Sequence, residues 1–327
     1  MKTVSVVMCT YNGEKYLREQ LDSIVNQTYP IYELIIQDDC STDGTVEILK
    51  EYAGKYSFIQ YSVNKKNKGY NENFFSVIAL AKGDFIAISD QDDIWELNKI
   101  EVQVNQIGDA WLSSGFSKPF ATDPSVKIHF NKRIPNYTLE RMMYVGMTPG
   151  HTLLIRKELM ENIPDLDKWM HYYTYDKTLQ MVAAAYNKVQ FCDVVLVNNR
   201  RHLKAATYGP AQNYERSLKN IIQSVWRTFL LYREVKPAMK DYFQKTFDFL
   251  SSIRTDSECK RNAVKMAYYQ SQSSLLSYLK LTWLCVLLRN KIFHTVEKNQ
   301  FFAVLRAIYF PISCSDYFRY KSKNFKR

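Results

Sequence analysis

The sequence predicts an α/β domain built on a parallel sheet, followed by a mainly helical C-terminal region. Over the first hundred residues, short β-branched segments alternate with segments of helical periodicity, which is typical of helices on both faces of a parallel sheet. Beyond Asn213 the chain changes to long helical stretches with few glycines. The charge changes there too: residues 1–204 carry 23 basic and 25 acidic residues, a net charge of −2, whereas residues 205–327 carry 21 and 8, a net charge of +13.

The composition excludes several classes of protein. With 46% hydrophobic and 14% aromatic residues, the 327-residue chain is neither of low complexity, nor collagen-like, nor wholly disordered. Its six cysteines lie far apart and form no Cys-x-x-Cys, which disfavours a zinc ribbon, an iron–sulfur site and a disulfide framework. We therefore expect a cytoplasmic protein, without a signal peptide.

The first ninety residues are interpreted as strands and helices in alternation. Val4–Met8 is a β-branched run suited to a buried parallel strand, and Tyr11-Asn12-Gly13 ends it. Thr42 and Asp43 are suitable N-caps for the second helix. The predicted elements after the first strand are helix 14–26, strand 34–36, a helix through Tyr52, strand 58–63, helix 74–81 and strand 85–88.

The middle of the chain is less regular. Residues 110–135 show no clear period and are predicted to form loops and edge strands. A strand is predicted over residues 151–155, a helix over 176–185 and a strand over 189–197. The composition changes near Gly209-Pro210, which predicts two domains, 1–208 and 209–327.

Polar clusters follow three of the predicted strands, at the position where ligands bind in open α/β sheets. These clusters are Thr10-Tyr11-Asn12, Asp38-Asp39 and Asp90-Gln91-Asp92-Asp93. Crowded carboxylates repel each other unless a cation lies among them, and a hard divalent ion that also binds phosphates is the usual partner. A solvated acidic turn is the alternative. Neither the phosphate-loop motif nor Gly-x-Gly-x-x-Gly occurs, so both of those nucleotide sites are excluded.

Three motifs together resemble glycosyltransferase family 2. They run from Ser5 to Gly13, from Asp38 to Thr45 and from Ser89 to Trp95. The form Ser-Asp-Gln-Asp-Asp-Ile-Trp is similar to that of bacterial enzymes that build O-antigen, capsule and other surface polysaccharides, including rhamnosyltransferases. The resemblance covers about residues 3–204 and implies a GT-A fold, a Rossmann-like domain of nucleotide-diphospho-sugar transferases.

The resemblance also implies an activity. The expected reaction is inverting, metal-dependent transfer of a sugar from a UDP- or dTDP-linked donor, for example dTDP-rhamnose, to a saccharide or lipid-linked saccharide. The expected cofactor is Mn²⁺ or Mg²⁺. The alternative is a catalytically inactive binding or scaffold protein of a polysaccharide assembly complex. A nucleotidyltransferase is disfavoured because the loop after the first strand lacks a glycine-rich basic segment, and no nucleic-acid partner is expected.

The resemblance assigns roles residue by residue. It implies that Asp176 is the general base, that Gly150 and His151 belong to the loop that meets the acceptor, and that Asp92 and His202 bind the metal. Asp39 would accept a hydrogen bond from the pyrimidine ring N–H. The residues expected to bind the nucleotide sugar are Thr10, Tyr11, Asn12, Asp39, Lys68, Asn73, Asp90, Gln91 and Arg200.

Some positions depart from the family pattern or allow another interpretation. Cys40 replaces the usual glycine after the two acids, and the segments around Asp176 and His202 differ from the usual His-Asp or Glu-Asp and Tyr-Arg-Gln-His forms. Asp176 could instead cap the following helix. His202 could be a surface histidine, and His151 could have a structural hydrogen-bonding role.

The basic C-terminal region predicts contact with an anionic surface. Two apolar runs, 281–288 and 301–312, are shorter than the roughly 20 residues needed to span a bilayer, so an interfacial helix fits them better. Basic and aromatic residues also alternate over 317–327. We expect peripheral attachment to the cytoplasmic membrane face, and the alternative is that these helices pack together or form a homo-oligomer interface.

Overall fold

The computed structural model of the chain describes residues 1–144, 148–202, 218–315 and 318. These residues fold as two compact units. Among them, the first unit takes residues 1–132, 148–183 and 188–202, and the second takes 133–144, 184–187 and 218–315 with 318. The predicted boundary at 208/209 and the basic tail over 319–327 lie outside the described residues, so both stay predictions.

The first unit contains a sheet of eight strands in the order β3-β2-β1-β4-β7-β6-β8-β5. The strands are β1 (Val4–Thr10), β2 (Glu33–Asp38), β3 (Ile59–Val63), β4 (Phe85–Ser89), β5 (Ile94–Trp95), β6 (Leu112–Ala121), β7 (Leu154–Arg156) and β8 (Val189–Arg201). The helices that begin in this unit are α1 (Glu14–Val25), α2 (Thr45–Lys55), α3 (Tyr70–Leu80), α4 (Lys99–Gln106), α6 (Lys157–Glu161), α7 (Leu166–Trp169) and α8 (Tyr175–Ala185). A mixed α/β fold with a helical C-terminal region confirms the predicted fold class.

Strands β3, β2, β1 and β4 are parallel, as predicted for this half of the domain. Their register places Thr10 opposite Asp38, and Met8 opposite Ser89. Strand β1 is buried along nearly its whole length, as its β-branched sequence requires. The carboxyl ends of four strands, with the polar residues that follow them, therefore meet at one edge of the sheet.

The other half of the sheet, for which the sequence predicts no strand direction, is mixed. Strand β7 is antiparallel to both β4 and β6, and β5 is antiparallel to β8. The prediction of loops and edge strands over residues 110–135 is wrong for β6, which lies inside the sheet between β7 and β8. After Leu112 the strand continues with the small residues Ser113, Ser114 and Gly115, so it lacks the apolar alternation that marks a strand in the sequence. Ser114 is nevertheless buried, with its hydroxyl 2.8 Å from that of Thr152.

The predicted strand over 151–155 is only partly correct. Residues Gly150–Thr152 form a single 3₁₀ turn, and β7 begins at Leu154. The turn follows Pro149, whose carbonyl accepts hydrogen bonds from the backbone N–H and the hydroxyl of Thr152. A local turn therefore replaces the first half of the predicted strand and turns His151 toward the strand ends.

The second unit is helical, as predicted. It contains α5 (Leu139–Met142), α9 (Leu218–Ser252), α10 (Glu258–Ser271), α11 (Leu275–Leu287), α12 (Arg289–Ile292) and α13 (Gln300–Ser313). Side chains of Ser257, Ser274 and Asn299 cap three of these helices at their N-termini. No helix among the described residues is both long and apolar enough to cross a membrane.

Candidate functional site

The polar residues that follow β1 and β2 are tied together by hydrogen bonds. The Thr10 hydroxyl donates to Asp38 Oδ1 at 2.8 Å. Asp38 also accepts the backbone N–H of Ser41, and the Ser41 hydroxyl accepts the backbone N–H of Asn12 at 2.9 Å. Asn12 Oδ1 in turn accepts the backbone N–H of Thr42 at 2.8 Å. The two strand-end loops therefore form one rigid wall of the site.

Asp39, predicted to bind the nucleoside base, organises a neighbouring loop. Its buried carboxylate accepts hydrogen bonds from the backbone N–H groups of Lys68 and Gly69 and from Asn64 Nδ2, each at 2.8 Å. Asn64 Nδ2 also lies 2.9 Å from Asn73 Oδ1. Three of the predicted nucleotide-binding residues, Asp39, Lys68 and Asn73, are therefore linked to each other directly or through Asn64.

Gln91 joins the loop after β4 to the loop after β1. Its side-chain amide accepts the backbone N–H of Tyr11 at 2.8 Å and donates to the Tyr11 carbonyl at 3.0 Å. A Cβ atom at Gly13 would come within 2.3 Å of Gln91 Oε1, so a larger residue there would displace the Gln91 amide from Tyr11. The Tyr11 side chain itself is 49% exposed and free to contact a ligand.

His151 lies between two carboxylates of the loop after β4, Asp90-Gln91-Asp92-Asp93, which we call the acidic loop. Its Nδ1 is 3.0 Å from Asp90 Oδ2 and 3.1 Å from Asp93 Oδ2, and its Nε2 is 2.9 Å from the Ser117 hydroxyl. One ligand atom from each of Asp90, Asp93 and His151 lies within 4.8 Å of the others, close enough to hold a metal ion. His151 and Asp93 are buried, whereas Asp90 is half-buried.

Asp92 points to a different histidine. Its Oδ2 is 3.0 Å from His202 Nε2, and both side chains are partly accessible. The His202 ring also contacts Tyr16 of α1, with ring centroids 5.2 Å apart. The two residues predicted to bind the metal are therefore adjacent, although 110 positions separate them in the chain.

The acidic loop concentrates negative charge in a partly desolvated place. Burial, and then the charge of Asp93, raise the pKa of Asp92 in spite of its bond to His202. Burial also raises the pKa of Asp93. Burial alone would lower the pKa of His151, but the carboxylates of Asp93 and Asp90 raise it above the ordinary histidine value. A positive charge among these groups is therefore strongly favoured.

Arg200, predicted to bind the donor, contacts the acidic loop through both its backbone and its side chain. Its backbone N–H donates to Asp93 Oδ1 at 2.9 Å, and its Nε donates to the Asp92 carbonyl at 3.0 Å. The guanidinium also pairs with Glu19 at 2.9 Å and lies over the ring of Tyr16. Since the Arg200 side chain is buried and has these partners, its observed contacts position the loop.

Asp176 lies in the first turn of α8, close to the acidic loop. The backbone N–H of Lys177 donates to its carboxylate at 2.8 Å, while the helix begins one residue earlier, at Tyr175. Burial raises the pKa of Asp176, and the charge of Asp90 adds to that shift. A raised pKa suits a carboxylate that must accept a proton, so the geometry is compatible with the predicted general base.

Gly150 permits the approach of α8 to the 3₁₀ turn. A Cβ atom at Gly150 would lie 2.0 Å from the Tyr175 hydroxyl, which leaves no room for a side chain. The Tyr175 ring stacks on Phe74, with centroids 4.2 Å apart, and its backbone N–H donates to Asn71 Oδ1. The predicted acceptor loop and the predicted base are therefore neighbours in the structure.

Sequence reasoning misses several residues that shape this site. Asn64 and Glu19 stand in no recognised motif, and Ser117 lies in β6, whose sequence predicts no inner strand. The sequence marks Asp93 only as a member of the acidic cluster, whereas in the structure it contacts His151 and Arg200. The sequence contains one signal for Asn64. It is a polar residue directly after β3, and β3 also ends at this edge of the sheet.

The donor set fits a divalent cation. Carboxylate oxygens and imidazole nitrogens are ligands that Mn²⁺ accepts, and Mg²⁺ favours the carboxylates. Asp92 with His202, and Asp90 with Asp93 and His151, provide two adjacent groups of such ligands. The raised pKa values of Asp92 and Asp93 reflect charge repulsion and burial that a bound cation would relieve.

The family model described as Glycosyl transferase family 2 matches residues 5–163. Among curated relatives, EpsE of Bacillus subtilis is 44% identical over 102 residues, which cover 31% of this chain and 37% of that protein. The dTDP-rhamnosyl transferase RfbG of Shigella flexneri is 33% identical over 158 residues, 47% of this chain and 55% of that protein. The chain thus spans about half the length of these relatives, or less.

The described fold also resembles solved structures. The structure of S. aureus TarS residues 1–349 in complex with UDP-GlcNAc has a TM-score of 0.56 to this chain. The match covers 98% of this chain and 92% of that one at 16% sequence identity. At this identity the likeness establishes the fold alone.

Proposed function

We propose, from the premise that this chain belongs to glycosyltransferase family 2, that it transfers a sugar from a UDP- or dTDP-linked donor during the synthesis of a bacterial cell-surface polysaccharide. The family model over residues 5–163 and the relatives support a glycosyltransferase activity. The observation that carries the finer proposal is the meeting of the motif residues at the carboxyl ends of β1 to β4, with Asp92 and His202 in contact.

In this proposal the nucleoside binds beside the loops that follow β1, β2 and β3. Tyr11 offers an exposed ring, and Asp39 holds the loop containing Lys68 in place. Asp39 also remains the proposed acceptor for the pyrimidine N–H, an interaction that uracil and thymine share. The name of RfbG supports dTDP-rhamnose as one donor, and the UDP-GlcNAc bound to TarS supports UDP-linked sugars.

The proposed general base is Asp176. A hydroxyl is a poor nucleophile at neutral pH, so a carboxylate must take its proton as the glycosidic bond forms. Attack from the face opposite the leaving diphosphate inverts the anomeric centre. Gly150 and His151 lie beside α8, where the saccharide or lipid-linked acceptor would approach Asp176.

Asp92 and His202 are the proposed metal ligands. A divalent cation held there would stabilise the negative charge that builds on the leaving diphosphate. Arg200 keeps the loop of Asp92 in position through the Asp92 carbonyl and Asp93. The buried Asp93 and His151 support the same loop, while the more accessible Asp92 and His202 can reach a ligand.

The proposed location of the protein is the cytoplasmic face of the membrane, where a lipid-linked acceptor is available. The basic C-terminal third of the sequence supports this location. A homo-oligomer through the same helices is the other arrangement that the sequence allows.

A panel of UDP- and dTDP-sugars, assayed for donor hydrolysis and transfer with Mn²⁺ or with EDTA, tests the proposal. We expect hydrolysis of at least one donor with Mn²⁺, little with EDTA, and a loss on the order of a hundredfold or more in Asp92→Asn. Asp193→Asn removes an exposed carboxylate of β8 and should behave as the wild type.

Three outcomes would change the proposal. Full activity in EDTA would remove the metal from the mechanism. Manganese binding, followed by electron paramagnetic resonance, that survives Asp92→Asn but is lost in His151→Asn would move the metal to Asp90, Asp93 and His151. Binding of nucleoside diphosphates without turnover of any donor would favour the inactive binding or scaffold protein.

A further inference from the structure

Helix α11 of the second unit has an apolar face that is exposed. Leu276, Leu279, Trp283 and Leu287 recur every three or four residues, and Trp283 is 65% exposed. The opposite face, with Leu281 and Cys285, is buried. An amphipathic helix on a protein core shows apolar residues toward the core and polar residues toward water. Helix α11 carries apolar residues on both sides. Packing against the core therefore explains only the buried side.

Helix α13, which packs against α11, repeats this arrangement. Ala303 and Ala307 are buried, whereas Phe301, Leu305 and Ile308 are exposed. We call the exposed apolar residues of α11 and α13 the apolar face. Its members are Leu275, Leu276, Leu279, Trp283, Leu287, Phe301, Phe302, Leu305 and Ile308.

An apolar face of nine large side chains requires an explanation. Single exposed apolar residues are ordinary on a soluble protein, but contiguous patches mark interaction sites. Helix α9 adds more exposed apolar residues near α13, because the ring of Phe229 lies 5.8 Å from that of Tyr309. The surface is therefore larger than an isolated helix face.

Most charged residues in the segment that carries the apolar face are basic. Residues 274–313 contain a single acid, Glu297, which pairs with Arg306 at 2.8 Å. The five basic residues of the same segment are Lys280, Arg289, Lys291, Lys298 and Arg306. Lys280 and Lys298 are exposed. An apolar strip flanked by basic residues is complementary to a surface with an apolar interior and anionic groups at its edge.

We propose that the apolar face lies in the interfacial layer of a bilayer that contains anionic phospholipids, parallel to the membrane plane. The inference extends the membrane location proposed above and is independent of which sugar is transferred. Helices α11 and α13 have 13 and 14 residues, about 20 Å each, which is too short to span the hydrocarbon layer. Trp283 belongs to the residue type that is enriched at membrane interfaces.

A second copy of the chain is a poorer occupant of this face. A twofold dimer brings the same patch of each protomer together. Arg306 pairs with Glu297 and Lys291 with Glu258, so Lys280, Lys298 and their counterparts in the second copy would face like charges. An anionic bilayer compensates all of them, and each basic residue near such a surface contributes about fivefold to binding.

Flotation of the full chain with vesicles of phosphatidylcholine, with and without phosphatidylglycerol, tests this proposal. We expect the protein to float with the anionic vesicles at low salt and to be partly released at high salt. The double variant Leu279→Glu, Trp283→Glu should lower the partition coefficient at least tenfold. Leu97→Glu changes a comparably exposed leucine of the first unit and should float as the wild type.

Charge is tested separately. Lys280→Gln with Lys298→Gln should reduce partitioning about 25-fold, whereas Lys50→Gln with Lys82→Gln, exposed lysines of the first unit, should not. Donor hydrolysis without vesicles should be unchanged in all these variants, which separates failure of this inference from failure of the proposed function.

The proposal is overturned if the wild type stays in the unbound fraction with anionic vesicles at low salt. It is also overturned if sedimentation shows a dimer that Leu279→Glu, Trp283→Glu dissociates while neither protein floats. In that case the apolar face is an interface between copies of the chain.

Discussion

At the scale of single residues, Cys40 shows how one departure from a family pattern affects the backbone. Its φ is 70°, in the left-handed region where most side chains are strained and glycine is not. This conformation explains why the family has a glycine after the two acids. The chain here keeps the turn, and with it the position of Asp39, at a cost in stability.

We expect Cys40→Gly to raise the free energy of unfolding by about 0.5–1 kcal/mol, because relief of the left-handed strain exceeds the entropy cost of glycine. Urea denaturation of the full chain measures this. Cys40→Ala keeps a Cβ atom and removes only the thiol, so it should show no such gain. An equal gain in both variants would mean that the thiol, and not the backbone, is the source of instability.

Asp176 is the residue for which the two sequence interpretations differ most. The structure places it inside the first turn of α8, and not before the helix where an N-cap residue stands. Its carboxylate accepts the backbone N–H of Lys177, and its pKa is raised by burial and by Asp90. Its position near the acidic loop is compatible with proton transfer.

We expect Asp176→Asn to lower sugar transfer by about two to four powers of ten while nucleotide affinity, measured by calorimetry, stays the same. Asparagine can still accept the hydrogen bond from Lys177, so the helix should remain. Glu47→Gln removes an acid from the first turn of α2 and serves as the control for the helix dipole. A variant that melts early but transfers normally in the cold would assign Asp176 a structural role only.

At the scale of elements, α4 carries a lysine into the core of the first unit. Lys99 is fully buried, its Nζ donates to Gln103 Oε1 at 2.9 Å, and it lies 4.0 Å from the centre of the Trp95 ring. Burial lowers the pKa of Lys99 to about 7, although Cys192 opposes this shift. The lysine is held by contacts that link α4 to the strand just before it.

The lowered pKa makes stability depend on pH in a defined direction. Between about pH 7 and about pH 10, the unfolded chain binds a proton at Lys99 that the folded chain does not, so the free energy of unfolding rises with pH. Below pH 7 both states are protonated and the slope from this group vanishes. The full effect is on the order of 5 kcal/mol, from the pKa difference and about 1.4 kcal/mol per unit.

We therefore expect Lys99→Met to be more stable than the wild type at pH 7 and the difference to shrink toward pH 10. Denaturation profiles of both proteins across this range measure the difference and cancel the other titrating groups. Lys82→Met, at an exposed position, should follow the wild-type profile. Parallel profiles for Lys99→Met and the wild type would show that Lys99 is not neutral in the folded protein.

At the scale of the whole molecule, charge and polarity are divided between the two units. The near-neutral first part carries the acidic loop and its histidines, while the basic C-terminal third carries the exposed apolar face. Such a division suits a protein whose reaction needs negative charge for a cation and whose location depends on an anionic surface.

The amino-acid sequence by itself predicted the family resemblance, the α/β class, the parallel half of the sheet and the strand ends at which the polar residues collect. These features follow from local periodicity and from the rule that parallel strands end at a common edge. It also predicted that Asp92 and His202 act together, through the resemblance alone, and the structure places them in contact.

Only the tertiary structure decided which group contacts which. His151 could not be paired with Asp90 and Asp93, nor Arg200 with Glu19, because these contacts join residues 58 to 181 positions apart. The inner position of β6 could not be predicted from the sequence either. Its small polar residues are buried by partners distant in the chain, and they form no apolar pattern. The exposed side of α11 depended on packing too, because a helix that is apolar all round does not reveal in its sequence which side its neighbours cover.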